Sequence, residues 1–273
     1  MALNNPAFSN SPAFNGKGVP AVPTPSADQL QQQFDLPSAQ SPAPVTTEPM
    51  TIEGTIRVSF GNFAVLLVAA AIGWVTVPVV PFLWIGAALV GFVLALVNIF
   101  KKEPSPPLIL AYAAAQGVFV GGISAFYEAI WPGIVSQAVL ATFVVVGVTL
   151  ALFASGKIRA SKRATKIFLI AMVGYLVFSV INVFVMIFGG ADANPWGWRG
   201  AEIGDTGIPL GLILGILAVL LGAYSLVLDF DFIQKGVQQR VDKKYAWTGA
   251  FGIMVTVIWL YLEILRMLAI SRD

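Results

Sequence analysis

The sequence predicts an all-α membrane protein, a bundle of seven transmembrane helices behind a disordered N-terminal tail. Three observations carry that expectation. Of 273 residues, 57% are hydrophobic and 11% charged, with mean hydropathy +0.81, whereas a soluble domain carries about 25% charged residues. Seven apolar stretches approach the roughly 20 residues that a helix needs to cross a bilayer. The basic residues also divide unevenly between alternate connections: 13 fall on the side of the N-terminal tail and 3 on the other.

The elements follow in chain order. Residues 1 to about 52 hold nine of the 17 prolines, set among Ser, Ala, Gln and Asn. Such a stretch cannot bury enough apolar surface to offset its ordering entropy, so a disordered tail over 1–52 and a membrane domain over 53–273 are expected. The tail is not a signal peptide, because no basic region runs directly into an apolar core. Its "NPAF" (5–8) and "SPAF" (11–14) are a docking repeat or a product of composition, and "DQLQQQFDL" (28–36) has the makings of one or two helical turns. The apolar segments are 57–77, 82–100, 107–129, 133–155, 167–189, 208–233 and 246–269. Between them, "PVVP", "KKEPSPP", "WPG", "GKIRASKRATK", "GGADANPWGWRGAEIGDTG" and "QKGVQQRVDKKY" are too polar or too broken to continue a membrane helix. The charge asymmetry places the N-terminus in the cytoplasm and the C-terminus outside, in a multi-pass arrangement in the cell membrane. Six of the seven tryptophans lie near segment ends, as interfacial belts require; Trp259 is inside the last segment. "GVFVG" (117–121) and "GLILG" (211–215) have the GxxxG spacing that lets helix backbones approach closely.

The chain has no cysteine and no histidine. Thiol chemistry is excluded, as are the commonest general base and the usual near-neutral switch. Any response to pH then falls to carboxylates, for which desolvation disfavours the charged form. No enzyme motif survives inspection: "FASGK" lacks Walker spacing, and "GDTG" (204–207) has no aspartate partner at matching depth. No cluster resembles a metal site. Neither enzymatic activity nor a cofactor is expected, and no nucleic-acid partner.

Ionisable residues inside membrane helices are costly and mark functional candidates. These are Glu128, Asp229, Asp231, Glu263 and Arg266. Glu128 ends the third segment, where simple solvation accounts for it. Asp229 and Asp231 stand about 200° apart around a helix and cannot share a face. Ser225 and Gly222 continue the Asp229 side, so Asp229 is expected to face the interior. Asp231 is placed for an ion pair with Lys235 four residues on. Glu263 is within reach of Arg266, which leaves an intrahelical ion pair or a functional role open. If the sixth helix ends near Ile233, Asp229 and Glu263 are about 18 Å apart along the membrane normal, at about 1.5 Å per residue, and do not touch.

Three stretches resemble the Bax inhibitor family, the transmembrane Bax-inhibitor-motif proteins, in its bacterial branch. "PPLILAYAAAQGVFVGGISAFYE" (106–128) resembles the third helix of that family, "LVLDFDFIQKG" (226–236) the end of its sixth, and "VIWLYLEILRML" (257–268) its last, over about residues 55–270. The resemblance implies a seven-helix bundle acting as a pH-sensitive calcium leak, with a pair of aspartates on the last two helices gating the path. Asp229 matches the first of these, with Ile233 in the family's isoleucine place. An ungapped alignment puts Thr256 in the second place, and Glu263 lies seven residues later on the same face. A hydroxyl can hydrogen-bond to Asp229 but cannot share a proton with it as a second acid does. The candidate ion- or proton-sensing residues are therefore Asp229, Thr256, Glu263 and Asp231. The implied partners are the lipid bilayer and calcium ion. The alternative is a non-conducting regulatory protein that binds other membrane proteins or proteases, through its tail.

Overall fold

A computed structural model describes Ser26, residues 48–189 and residues 194–273. The tail expectation over 1–52, with its repeat and its short helical stretch, lies outside the described residues except for Ser26 and its last five. Seven long helices follow: α1 (Ile52–Thr76), α2 (Leu83–Phe100), α3 (Pro106–Ile130), α4 (Ile134–Ala154), α5 (Lys162–Phe188), α6 (Leu210–Gln238) and α7 (Ala246–Ile270). All seven are long and apolar enough to span a membrane, and no β-strand occurs among the described residues. Short 3₁₀ turns at Gly197–Gly200 and Lys243–Tyr245 interrupt the last two long connections.

Local chemistry sets the helix ends. Thr51 accepts a hydrogen bond from the Gly54 amide and starts α1, five residues ahead of the apolar run. Ser161 does the same for α5 through the Ala164 amide, drawing the basic residues 162–166 into its first turns. Pro106 and Pro107 sit at the start of α3, where a missing amide proton costs nothing. Gly133, at φ 82°, turns the chain into α4. The Glu128 carboxylate then accepts from the amides of Gly133 at 2.6 Å and Val135 at 3.0 Å. Glu128 is thus a reverse cap across the α3–α4 corner, beyond the simple solvation expected of it. Replacing it with alanine should cost about 1 kcal/mol, in line with other lost N-caps, measurable as a lowered melting temperature in detergent; no change would show that the corner holds without it.

Burial ranks the helices. In α2 only Gly91 is buried, and in α5 only Phe168, Tyr175 and Asn182, a single stripe at intervals of seven. In contrast, α7 buries 14 residues along its length, among them Met254, Leu260 and Leu265. It is the central helix, packed by α1, α3, α4 and α6. The outward faces carry large apolar side chains such as Phe60, Phe143 and Ile187 in the open. Such a surface suits lipid, where every backbone polar group must already be satisfied within the helix.

A short strap ties the start of α1 to the α6–α7 turn. The Met50 amide donates to the Val241 carbonyl at 2.7 Å, the Lys243 amide donates to the Glu48 carbonyl at 2.8 Å, and the Met50 side chain is fully buried. The Lys243 ammonium also meets the Glu48 carboxylate at 2.8 Å. That hydrogen bond and the charge behind it hold the Glu48 carboxyl below its ordinary value. The sign follows from linkage: the pair supports the strap at neutral pH and ceases to as pH falls through the lowered pKa of Glu48. Both groups are solvated, so the contribution is small.

Candidate functional site

Asp229 sits on α6 where that helix crosses α7. Thr256 on α7 donates its hydroxyl proton to Asp229 Oδ2 at 2.7 Å, and Ser225, one turn earlier on α6, lies 3.2 Å from the same threonine oxygen. With Asp229 ionised, the chain runs Ser225 to Thr256 to Asp229, each hydroxyl donating onward. A hydroxyl both donates and accepts, so protonation of Asp229 reverses the direction of the chain without breaking it. The reversed bond is neutral, and a charge-assisted bond is roughly twice as strong as a neutral one.

Small residues make this proximity possible. A Cβ added at Gly252, one turn before Thr256, would lie 2.8 Å from Asp229 Oδ1. At Gly222 it would meet Leu260, and at Gly249 Ile233. The stripe of Gly222, Ser225 and Asp229 does face α7. Ile233 seats α6 against the start of α7 beside the strap.

Asp229 also lines a cleft of about 520 Å³ at this end of the bundle, walled by Asn98, Phe232, Tyr245, Thr248 and Phe251, with Lys101 and Lys102 at the α2 end. The carboxylate and the two hydroxyls are hard oxygen donors of the kind that calcium takes. Among the described residues no three acidic, histidine or cysteine side chains gather as a metal site.

The other sequence candidates lie elsewhere. Asp231 pairs with Lys235 on the far side of α6. The helix continues through this pair to Gln238, five residues beyond the end expected at Ile233. Asp229 is therefore about nine residues, or roughly 13 Å, from the end of its helix.

Glu263 has its own partners. It is 3% exposed and stands between two arginines: Arg266 donates to Oε1 at 2.8 Å, and Arg199 Nη1 is 3.6 Å from Oε2. The expected intrahelical pair with Arg266 is present, and Arg199 joins it from the α5–α6 connection. Arg199 is itself 4% exposed. It donates to the Tyr175 hydroxyl at 3.0 Å and to Ser179 Oγ at 2.8 Å, and lies over the Tyr175 ring. Sequence reasoning missed this role. Arg199 stands among glycines and tryptophans in a connection and counts there as one more loop charge; the flanking Trp196, Gly197 and Gly200, which form a tight turn, are the only local sign of burial. Asp229 and Glu263 thus belong to two separate clusters, one held by hydroxyls and one by guanidiniums.

Residues 5–273 match the family model described as Bax inhibitor 1 like. No curated protein matches the chain.

Proposed function

The chain belongs to the Bax inhibitor 1 like family, and from that premise we propose that it is a pH-sensitive cation leak, with calcium as the substrate ion and Asp229 as the titrating group. The observation that carries the reading is the Ser225–Thr256–Asp229 chain, which joins the last two helices beside an open cleft. Ionised, Asp229 holds α7 through a charge-assisted bond; protonated, it holds α7 more weakly and offers a cation no charge. The threonine makes this a gate with one acid, in which protonation changes the strength and polarity of a bond rather than the sharing of a proton. The excess of basic residues on the side of this cleft supports a reading in which it opens at the cytoplasmic face of the cell membrane, with the C-terminus outside.

The test is calcium flux into liposomes across pH. Wild-type flux should change with pH, whereas Asp229→Asn should give a flat profile, and Thr256→Val should keep a pH response at altered amplitude. Identical flux and pH dependence in wild type and Asp229→Asn would sink the assignment. If neither conducts while deletion of residues 1–47 releases a bound membrane protein, the chain is a regulatory partner instead.

A further inference from the structure

A second, larger concavity lies on the flank of the bundle. A groove of about 1010 Å³ runs between α1 and α4, with α7 forming its floor at Ile253, Val257 and Tyr261. Along α1 its wall extends from Ile52 to Trp74. At about 1.5 Å per residue that is about 33 Å, the thickness of a bilayer's hydrocarbon core. The wall is apolar and its hydroxyls are mostly engaged within the protein. Ser124 bonds to Tyr261 at 2.6 Å, and Thr142 donates to the Ala138 carbonyl at 2.7 Å. The exception is Ser59. Its buried hydroxyl has no partner among the described residues, and it lies seven residues, two helical turns, from the Ile52 end.

One mouth of the groove is basic. At the Ile52 end stands Arg159, from the α4–α5 connection. Its guanidinium lies 4.6 Å above the ring of Phe153 and donates to Gln234 Oε1 at 2.6 Å, and both of those residues line the groove. No acidic side chain pairs with Arg159 among the described residues. The stretch 155–166 around it holds Lys157, Lys162, Arg163 and Lys166 and no acid. Nearby on α1, Glu53 is already paired with Arg57.

We propose that this groove is a binding site for an anionic phospholipid of the basic-side leaflet. The acyl chain lies between α1 and α4 against α7, a glycerol or ester oxygen meets the Ser59 hydroxyl, and the headgroup phosphate pairs with Arg159. A transmembrane helix would match the length and the apolar walls, but it offers nothing to a guanidinium two turns beyond a lone hydroxyl; a phospholipid places an oxygen-rich backbone and an anion at those depths. The site does not depend on the leak assignment, since it lies on the opposite face of α7 from the Asp229 cleft.

The experiment uses full-length protein in nanodiscs. These contain either phosphatidylglycerol or phosphatidylcholine carrying a photoactivatable diazirine in the acyl chain, and adducts are mapped by mass spectrometry. Adducts on Ile253 and Val257, which lipid reaches only through the groove, should be about five-fold more abundant with phosphatidylglycerol, from one basic side chain at an anionic headgroup. Arg159→Ala should bring them down to the phosphatidylcholine level, and Val139→Trp, filling the groove from its rim, should abolish them with either lipid. Equal labelling by the two lipids, or labelling confined to outward residues such as Val144, would each overturn the proposal.

Discussion

Replacing Glu263 with glutamine should destabilise the protein by about 3–5 kcal/mol, the range for removing one partner of a buried ion pair. The carboxylate is 3% exposed and is the only acidic group that meets Arg199 or Arg266 in an ion pair among the described residues. Glutamine keeps the shape and one acceptor oxygen but removes the charge, leaving two guanidiniums near each other in an apolar bundle, where such charges are costly. The partners should rank by exposure. Arg199 is almost fully enclosed, whereas the Arg266 side chain is one-third exposed, so Arg199→Ala should cost more than Arg266→Ala. Combining Glu263→Leu with Arg199→Leu should recover part of the loss, because an apolar replacement of a whole buried pair is often neutral. Thermal unfolding in detergent reads all four. A Glu263→Gln protein that melts with wild type would show that water or another anion already satisfies the arginines.

The same cluster shows how far the sequence is legible. Each helix is visible as an apolar run, because lipid demands unbroken apolar length. The ends are displaced where polar residues continue the helix past the lipid: 52–56 at the start of α1, 162–166 at the start of α5, 234–238 at the end of α6. Those residues cap, pair or extend the backbone ladder, and hydropathy does not register that. Asp229 stands out because a carboxylate in an apolar run, with no basic residue one turn on, has few structural excuses. Thr256 does not, since threonine is ordinary in a membrane helix, and only the family resemblance drew it in. Arg199 was hidden for a different reason. Its burial depends on α5, α6 and α7 closing around the connection, and no spacing within 189–207 encodes that. Likewise "GVFVG" announces a close helix approach without naming the partner.

That partner is α1, and the approach is close enough that Gly121→Leu should be severely disruptive. A Cβ at Gly121 would collide with the Ala70 backbone carbonyl, and one at Gly117 with the Leu66 carbonyl; from the other side, a Cβ at Gly73 would collide with the Val118 carbonyl. In each case the obstacle is backbone, which cannot rotate away as a side-chain tip can. The two helices touch along Leu66, Ala69 and Ala70 on α1, and their separation is set by the absence of side chains at these glycines. Overpacking in a core costs about 1–3 kcal/mol when side chains can repack; here α1 must move bodily, so Gly121→Leu should reach or exceed the top of that range. Small-residue interfaces of this kind are what holds membrane helices together once lipid has removed the hydrophobic drive. Gly147, on α4, provides the control, since nothing lies within 4 Å of an added Cβ there. Gly147→Leu should leave the melting temperature near wild type while Gly121→Leu lowers it sharply and reduces the folded yield. Equal behaviour of the two variants would mean that α1 is not held against α3 by backbone proximity.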